Sequence, residues 1–177
     1  MRRHFRPTTS RRILSGDALR QLFSACCESA FTVELGVADP PIVDYMSRLL
    51  VRFVHVRTTA AVRSPDGSLV DTFTGLVREA EARRGASRRR LHQRIGDLTL
   101  FWTGVYPEAL PQVQSLDSPD AFLDLPGFGR RSYELAAGER SSGPEERSLL
   151  WRLAEEYETC RDGLTIARRT WEEMAIA

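Results

Sequence analysis

Residues Ser142 to Met174 read SGPEERSLLWRLAEEYETCRDGLTIARRTWEEM. Apolar or small residues recur there at alternating steps of three and four, at Leu150, Leu153, Tyr157, Cys160, Leu164, Ala167, Trp171 and Met174. This spacing places side chains on one face of an α-helix. The segment therefore predicts a long C-terminal helix with a continuous seam. Because the seam is uneven in size and contains Gly163, we expect it to pack against unlike helices of its own domain, with self-association as the alternative.

Helical spacing also marks the upstream chain, in segments near 15–30, 39–56, 69–85, 87–107, 118–125 and 129–137. Strand signals are few, and the main one is the β-branched stretch from Phe31 to Gly36, which is expected to be extended. The sequence thus predicts an all-α fold, a single-domain bundle of six or seven helices with a long C-terminal helix. We expect this domain to cover residues 15–177 and to follow a disordered basic arm at residues 1–14.

Composition indicates a soluble globular protein, because the 177 residues are 42% hydrophobic and 28% charged. No apolar stretch approaches the ~20 residues that span a bilayer, and no signal-peptide core follows the N-terminus. We therefore expect a cytoplasmic protein with no membrane contact. The three cysteines include the adjacent pair Cys26 and Cys27, which does not resemble a disulfide framework.

Charge is distributed unevenly along the chain. All 25 basic residues are arginine, so lysine is absent, and asparagine is absent as well. The joint absence of lysine and asparagine favours a GC-rich genome over a functional demand for arginine. Residues 1–95 contain 17 arginines and 9 acidic residues, whereas residues 96–177 contain 8 arginines and 15 acidic residues. We expect the basic and acidic halves to neutralise each other when the chain folds.

Motifs for metal binding and catalysis are missing. The three histidines are isolated, no Glu-x-x-His pair occurs, and no Gly-x-Ser-x-Gly motif is present. Asp120 and Asp124 have the spacing of a Mg²⁺-binding pair but lack a convincing second pair on a facing helix. The sequence therefore predicts no metal, no cofactor and no catalytic residue, and it favours a protein that is not an enzyme.

The block from Ile95 to Glu108 contains the residue of greatest interest, Asp97, within an apolar run. A buried carboxylate is costly unless it is paired. We therefore expect a structural polar pair between Asp97 and either Arg130 or Arg131. A candidate pocket beside this pair would be lined by Trp102, Tyr106, Glu108 and Tyr133, and the nearby glycines are expected to allow close helix packing.

Arginines cluster upstream of this block, at Arg83, Arg84, Arg88, Arg89, Arg90 and Arg94. Such a cluster can neutralise phosphates without reading base sequence, so it is a candidate nucleic-acid contact. Aromatic residues are not interleaved with these arginines, and the net charge of the chain is only +1.

The central block resembles uncharacterised bacterial all-helical proteins with the pattern Gly-Asp-x-x-Leu-Phe-x-x-Gly-x-x-Pro-Glu, followed by Gly-Arg-x-x-Tyr. The matching residues are Gly96, Asp97, Leu100, Phe101, Gly104, Pro107 and Glu108, then Gly129, Arg130 and Tyr133. The resemblance implies a single bacterial helical fold and implies no reaction.

Three functions stay open at this point. The first is a non-enzymatic helical domain that acts by binding another macromolecule, which we expect to be a protein. The second is a nucleic-acid-associated regulator that uses the arginine clusters. The third is a small-molecule enzyme or carrier with a pocket near Asp97.

Overall fold

The computed structural model describes residues 16–55, 62–63, 69–70, 72–114, 119–141 and 143–176. This part contains seven helices of nine residues or more and one four-residue helix. They are α1 (Gly16–Glu28), α2 (Pro40–His55), α3 (Phe73–Glu81), α4 (Gly85–Leu100), α5 (Leu110–Val113), α6 (Leu125–Gly138), α7 (Pro144–Glu155) and α8 (Tyr157–Ile176). The predicted all-α bundle is confirmed. The predicted arm at 1–14 lies outside the described residues, as does the stretch 64–67, whose Ser-Pro-Asp-Gly sequence predicts a turn.

Two short strands, β1 (Val62–Arg63) and β2 (Leu69–Val70), form an antiparallel pair between α2 and α3. β2 occupies the start of the segment 69–85, for which helical spacing predicts a helix. That helix begins instead at Phe73, after Thr72, whose hydroxyl accepts a hydrogen bond from the backbone N–H of Gly75. A capping threonine thus sets the start of α3.

Two helices continue as π-helical segments. α1 leads into Ser29–Glu34, and α4 leads into Phe101–Val105. The expectation of an extended stretch from Phe31 was therefore wrong. Phe31 is completely buried, so its tertiary packing overrides the β-propensity of the residues around it.

The apolar residues form two clusters. The larger joins α1, α2, α6, α7, α8 and the π-helical end of α4, whereas the smaller joins α3, the middle of α4 and the start of α6. Trp102 packs against both clusters. Since α4 contributes residues to both clusters, it positions Asp97 between them.

The seam predicted at the C-terminus packs within the chain. Its members from Leu150 to Ala167 are at most 1% exposed, whereas Met174 is 49% exposed. The helix is interrupted at Glu156, where ψ is 24°, so the segment forms α7 and α8 instead of one continuous helix. Gly163 is required by packing, because a Cβ there would lie 2.2 Å from Cζ of Phe31.

Ion pairs between the two halves of the chain are present as expected. Arg88 pairs with Glu139 at 2.9 Å, and Arg89 pairs with Glu146. Among the described residues, no helix is long and apolar enough to cross a membrane.

Candidate functional site

Asp97 is the centre of a buried polar network on α4. Its Oδ1 accepts hydrogen bonds from the hydroxyls of Tyr45, at 2.6 Å, and Tyr133, at 2.8 Å. Its Oδ2 accepts from Nη2 of Arg52 at 3.1 Å. Asp97 is only 6% exposed, so three donors from α2 and α6 replace the water that its carboxylate has lost.

The direction of these hydrogen bonds follows from the neighbouring amide. Nε2 of Gln93 donates to the hydroxyl oxygen of Tyr45 at 3.0 Å, so the Tyr45 hydrogen is directed toward Asp97. Burial raises the pKa of Tyr45 and that of Tyr133, so both remain protonated donors at neutral pH. Burial also raises the pKa of Asp97, against the opposing effects of Arg52 and the two tyrosine hydroxyls.

The expected partners of Asp97 were wrong. Arg130 is exposed on α6, and Arg131 forms an exposed ion pair with Glu134 at 2.8 Å. The inward face of α6 presents Tyr133 to Asp97, so neither arginine occupies that side of the helix. The charged partner is Arg52, which comes from α2.

Arg52 links this network to the surface. Its side chain is 47% exposed, whereas that of Asp97 is 9% exposed, and its guanidinium lies 5.4 Å from the ring centroid of Tyr45. An ion pair at one end and a ring beside it restrict the rotamers of Arg52. A restricted guanidinium loses less entropy when it binds an anion, so this arrangement is typical of a prepared binding group.

Two surface grooves meet at Arg52 and Gln93, which line both of them. The first, named here the α2–α7 groove, has a volume of about 1310 Å³. Its lining comprises Arg20, Ser24, Pro41, Asp44, Tyr45, Ser47, Arg48, Val51, Arg52, Gln93, Pro144, Glu145, Glu146, Ser148, Leu149 and Arg152. Residues of α1, α2, α4 and α7 thus form one continuous surface beside the Asp97 network.

The second groove, named here the arginine groove, has a volume of about 550 Å³. It is lined by Arg52, Phe53, Arg83, Ser87, Arg90, Leu91, Gln93, Arg94 and Asp97. Four arginines therefore surround one cavity, with Asp97 at its inner side.

Only two of the four predicted pocket residues come together, Tyr106 and Glu108. Tyr133 is buried in the Asp97 network, and Trp102 is packed between the two apolar clusters. The guanidinium of Arg168 lies 4.7 Å from the ring centroid of Tyr106, and Glu108 forms an ion pair with the same arginine at 2.7 Å. None of the four lines either groove, because Trp102 and Tyr106 follow the point where α4 becomes π-helical.

The arginine cluster is not a continuous basic patch. Arg83 pairs with Glu79 at 2.7 Å, and Arg88 and Arg89 pair with acidic residues near α6 and α7. Arg84 and Arg90 are exposed, while Arg94 is half-buried in the arginine groove. Folding therefore places three of the six arginines in ion pairs and three in the lining of one groove, with Arg83 in both sets and Arg84 in neither.

Other candidate chemical groups are buried or occupied. Burial raises the pKa of the Cys27 and Cys160 thiols to about 12, which keeps them protonated. The carboxylate of Asp120 accepts hydrogen bonds from the backbone N–H groups of Phe73 and Thr74, so it caps α3. Within the described ranges, no cluster of three histidine, cysteine or acidic side chains could hold a metal ion.

Sequence reasoning missed Tyr45, Arg52 and Gln93 as members of the site. Tyr45 lies among the apolar residues whose spacing predicts a helix near 39–56, and Arg52 follows it by seven residues, which is two helical turns on the same face. A tyrosine and an arginine that share one face of a helix indicate a nearby hydrogen-bond acceptor. That signal does not identify Asp97 as the acceptor.

Comparisons with protein-family models, curated proteins and solved structures gave no significant match. The resemblance to bacterial helical proteins therefore stays a prediction from the sequence.

Proposed function

We propose that this chain is a non-enzymatic binding domain that holds a segment of another protein in the α2–α7 groove. The observation that carries the proposal is the size and lining of this groove. Small-molecule pockets commonly have volumes of roughly 300–1,000 Å³. The α2–α7 groove exceeds that range at about 1310 Å³, which favours a polypeptide over a small ligand.

The lining of the groove has the mixed character of a protein interface. Val51 and Leu149 contribute half-buried apolar surface, and Tyr45 contributes an aromatic side chain. Apolar anchors with a polar rim are typical of protein recognition sites. Both signs of charge occur around them, so we expect affinity to depend mainly on shape and apolar contact.

Several charged groups of this groove are already held by ion pairs. Arg48 pairs with Asp44 at 2.7 Å, and Arg152 pairs with Asp39 at the start of α2. The Arg152–Asp39 pair is the more buried of the two, so it restricts that wall of the groove before a partner arrives. A prepared surface of this kind favours binding because less side-chain entropy is lost on association.

The Asp97 network supports the floor of the groove. It fixes the hydroxyl of Tyr45 through Asp97 and Gln93, and it anchors Arg52 at the edge. A buried ion pair is weak evidence for stability by itself, since apolar residues of the same volume often stabilise as well. Its position under two grooves supports a role in holding binding groups in place.

Nucleic-acid binding is less well supported by this geometry, because three of the six clustered arginines pair with acidic residues. The cellular setting that we propose is the cytoplasm, where thiols remain reduced. The three cysteines, Cys26, Cys27 and Cys160, are free in the structure.

Peptide display on phage tests the proposal. The full chain is used to select from a random peptide library, and the affinity of selected synthetic peptides is measured by fluorescence anisotropy. Ser148→Trp places a large side chain in the groove at an exposed position of α7. We expect this variant to weaken peptide binding by about tenfold or more, since one lost anchor contact is worth about 1.4 kcal/mol or more.

Ala25→Trp is the matched control, because Ala25 is exposed on α1 but does not line the groove. It should leave peptide affinity unchanged. Circular dichroism melting curves check that both variants fold. Selection that yields no binding peptide, or peptides that bind Ser148→Trp as tightly as the original chain, would overturn the proposal.

A further inference from the structure

We propose that the arginine groove is a second binding site, which takes a small organic molecule carrying a phosphate group. This site differs from the protein-docking groove in size, charge and ligand class. Its volume of about 550 Å³ lies inside the range of small-molecule pockets.

The arginines reach the groove from three places in the fold. Arg52 comes from the last turn of α2, Arg83 precedes α4, and Arg90 and Arg94 lie one helical turn apart on α4. Residues four apart on a helix share a face, so the last two point toward the same space. Tertiary packing then adds the other two guanidiniums from outside α4.

The lining of the groove has an excess of positive charge. It contains four arginines, Arg52, Arg83, Arg90 and Arg94, and one acidic residue, Asp97. An excess of guanidinium groups favours an anion. A phosphate monoester carries about −1.5 to −2 at pH 7, and its oxygens accept the paired N–H donors of guanidinium.

Two of the four arginines are held in place by buried carboxylates. Asp97 holds Arg52, and Glu79, whose side chain is 7% exposed, accepts a hydrogen bond from Nε of Arg83 and forms an ion pair with its Nη2 at 2.7 Å. Acidic residues behind arginine donors fix the direction of those donors, as outer-shell groups do in other polar sites. Two of the arginine donors are therefore already oriented before an anion binds, and the groove does not need to close around the anion to orient them.

The rest of the lining suits the organic part of such a molecule. Phe53 stacks on Phe101 with a centroid separation of 4.6 Å, which fixes its ring at the edge of the groove. Leu91 adds apolar surface, and the Ser87 hydroxyl and Gln93 amide add uncharged polar groups. Inorganic phosphate would use only the arginines, whereas a phosphate ester would also contact the apolar wall.

Isothermal titration calorimetry with phenyl phosphate tests this inference at constant ionic strength. We expect phenyl phosphate to bind more tightly than inorganic phosphate, since it adds apolar contact, and more tightly than benzoate, which carries one charge. Arg90→Gln should weaken phenyl phosphate binding by roughly fivefold to tenfold, because a charge-assisted hydrogen bond is lost.

Arg84→Gln is the matched control, because Arg84 is exposed and close in sequence but does not line the groove. It should leave the affinity unchanged. Equal loss in Arg84→Gln and Arg90→Gln would show general charge attraction and would overturn the proposal. Binding of benzoate as tight as that of phenyl phosphate, or no saturable binding of any probe, would also overturn it.

The two proposals can fail separately. Ser148 does not line the arginine groove, so Ser148→Trp should leave phenyl phosphate binding intact. Arg90 does not line the α2–α7 groove, so Arg90→Gln should leave peptide binding intact.

Discussion

Replacing Gly96 by alanine tests how tightly the Asp97 network is packed. A Cβ on residue 96 would lie 2.7 Å from Cζ and 2.8 Å from Cε1 and Cε2 of Tyr133. Carbon atoms in favourable contact are about 3.5–4.0 Å apart, so the ring must move. Tyr133 is completely buried and has no solvent-filled space to enter, so its hydroxyl is expected to leave Asp97.

The expected magnitude combines three effects. Overpacking of a core costs about 1–3 kcal/mol, and losing a hydrogen bond to a charged group costs about 1.5–3 kcal/mol. Alanine returns about 1 kcal/mol through its higher helix propensity. Gly96→Ala should therefore lower the free energy of unfolding by about 1.5–5 kcal/mol, which lowers Tm by roughly 3–20 °C for a chain of this size.

Urea denaturation followed by circular dichroism measures this change. Gly138→Ala is the control, because residue 138 ends α6, is exposed, and has no atom within 4 Å of a new Cβ. It should be neutral or stabilising by up to about 1 kcal/mol. Tyr133→Phe should cost less in the Gly96→Ala background than in the original chain, because the displaced hydroxyl no longer reaches Asp97. A Gly96→Ala variant as stable as the original chain would refute this reasoning.

Three further predictions concern other buried groups. The pKa of His92 is lowered, mainly by burial and also by the charge of Arg88. Glu139 and Glu81 oppose this shift with smaller effects. The neutral form is thus favoured in the fold, so the stability from His92 is complete above about pH 6.5 and is lost as pH falls through its folded pKa. Urea denaturation of His92→Leu at several pH values should show that its free energy of unfolding falls less steeply with falling pH than that of the original chain. An equal slope in the two proteins would contradict this. Asp120→Ala should lower the free energy of unfolding by about 2–4 kcal/mol, since the first N–H groups of α3 lose their acceptor. The control is Asp124→Ala, an exposed position, which should change the free energy of unfolding by less than about 0.5 kcal/mol. Equal effects of the two substitutions would argue against the cap. The buried thiols of Cys27 and Cys160 should react with an aromatic disulfide reagent only when the chain unfolds, and a fast reaction in the native protein would show that they are accessible.

Much of the fold was predictable because helical periodicity is a local property of the sequence. The spacing of Leu150, Leu153 and the following seam residues is enough to predict a buried helix face, whatever that face contacts. The sequence Asp39-Pro-Pro predicts a capped helix start, and the carboxylate of Asp39 does accept a hydrogen bond from the N–H of Ile42 at 3.2 Å. Boundaries were less predictable where packing competes with propensity, as at the completely buried Phe31.

The candidate site was only partly predictable, for a different reason. Asp97 was identified because a carboxylate in an apolar run must be paired or exposed, which is a statement about one residue and its solvation. Its partners were not identified, since the distance between two side chains depends on how helices far apart in sequence are packed. Proximity in the sequence block had favoured Arg130 and Arg131, yet Arg52 precedes Asp97 by 45 residues.

The sequence by itself determined the helical class, the buried face of most helices and the need for a partner at Asp97. These depend on periodicity and on the cost of removing charge from water, both of which act locally. Only the tertiary structure decided that Tyr45, Arg52 and Tyr133 are the partners, and which clustered arginines form ion pairs and which line one groove. Those outcomes depend on the arrangement of α2, α4 and α6, because a guanidinium binds whichever carboxylate the packing brings within reach.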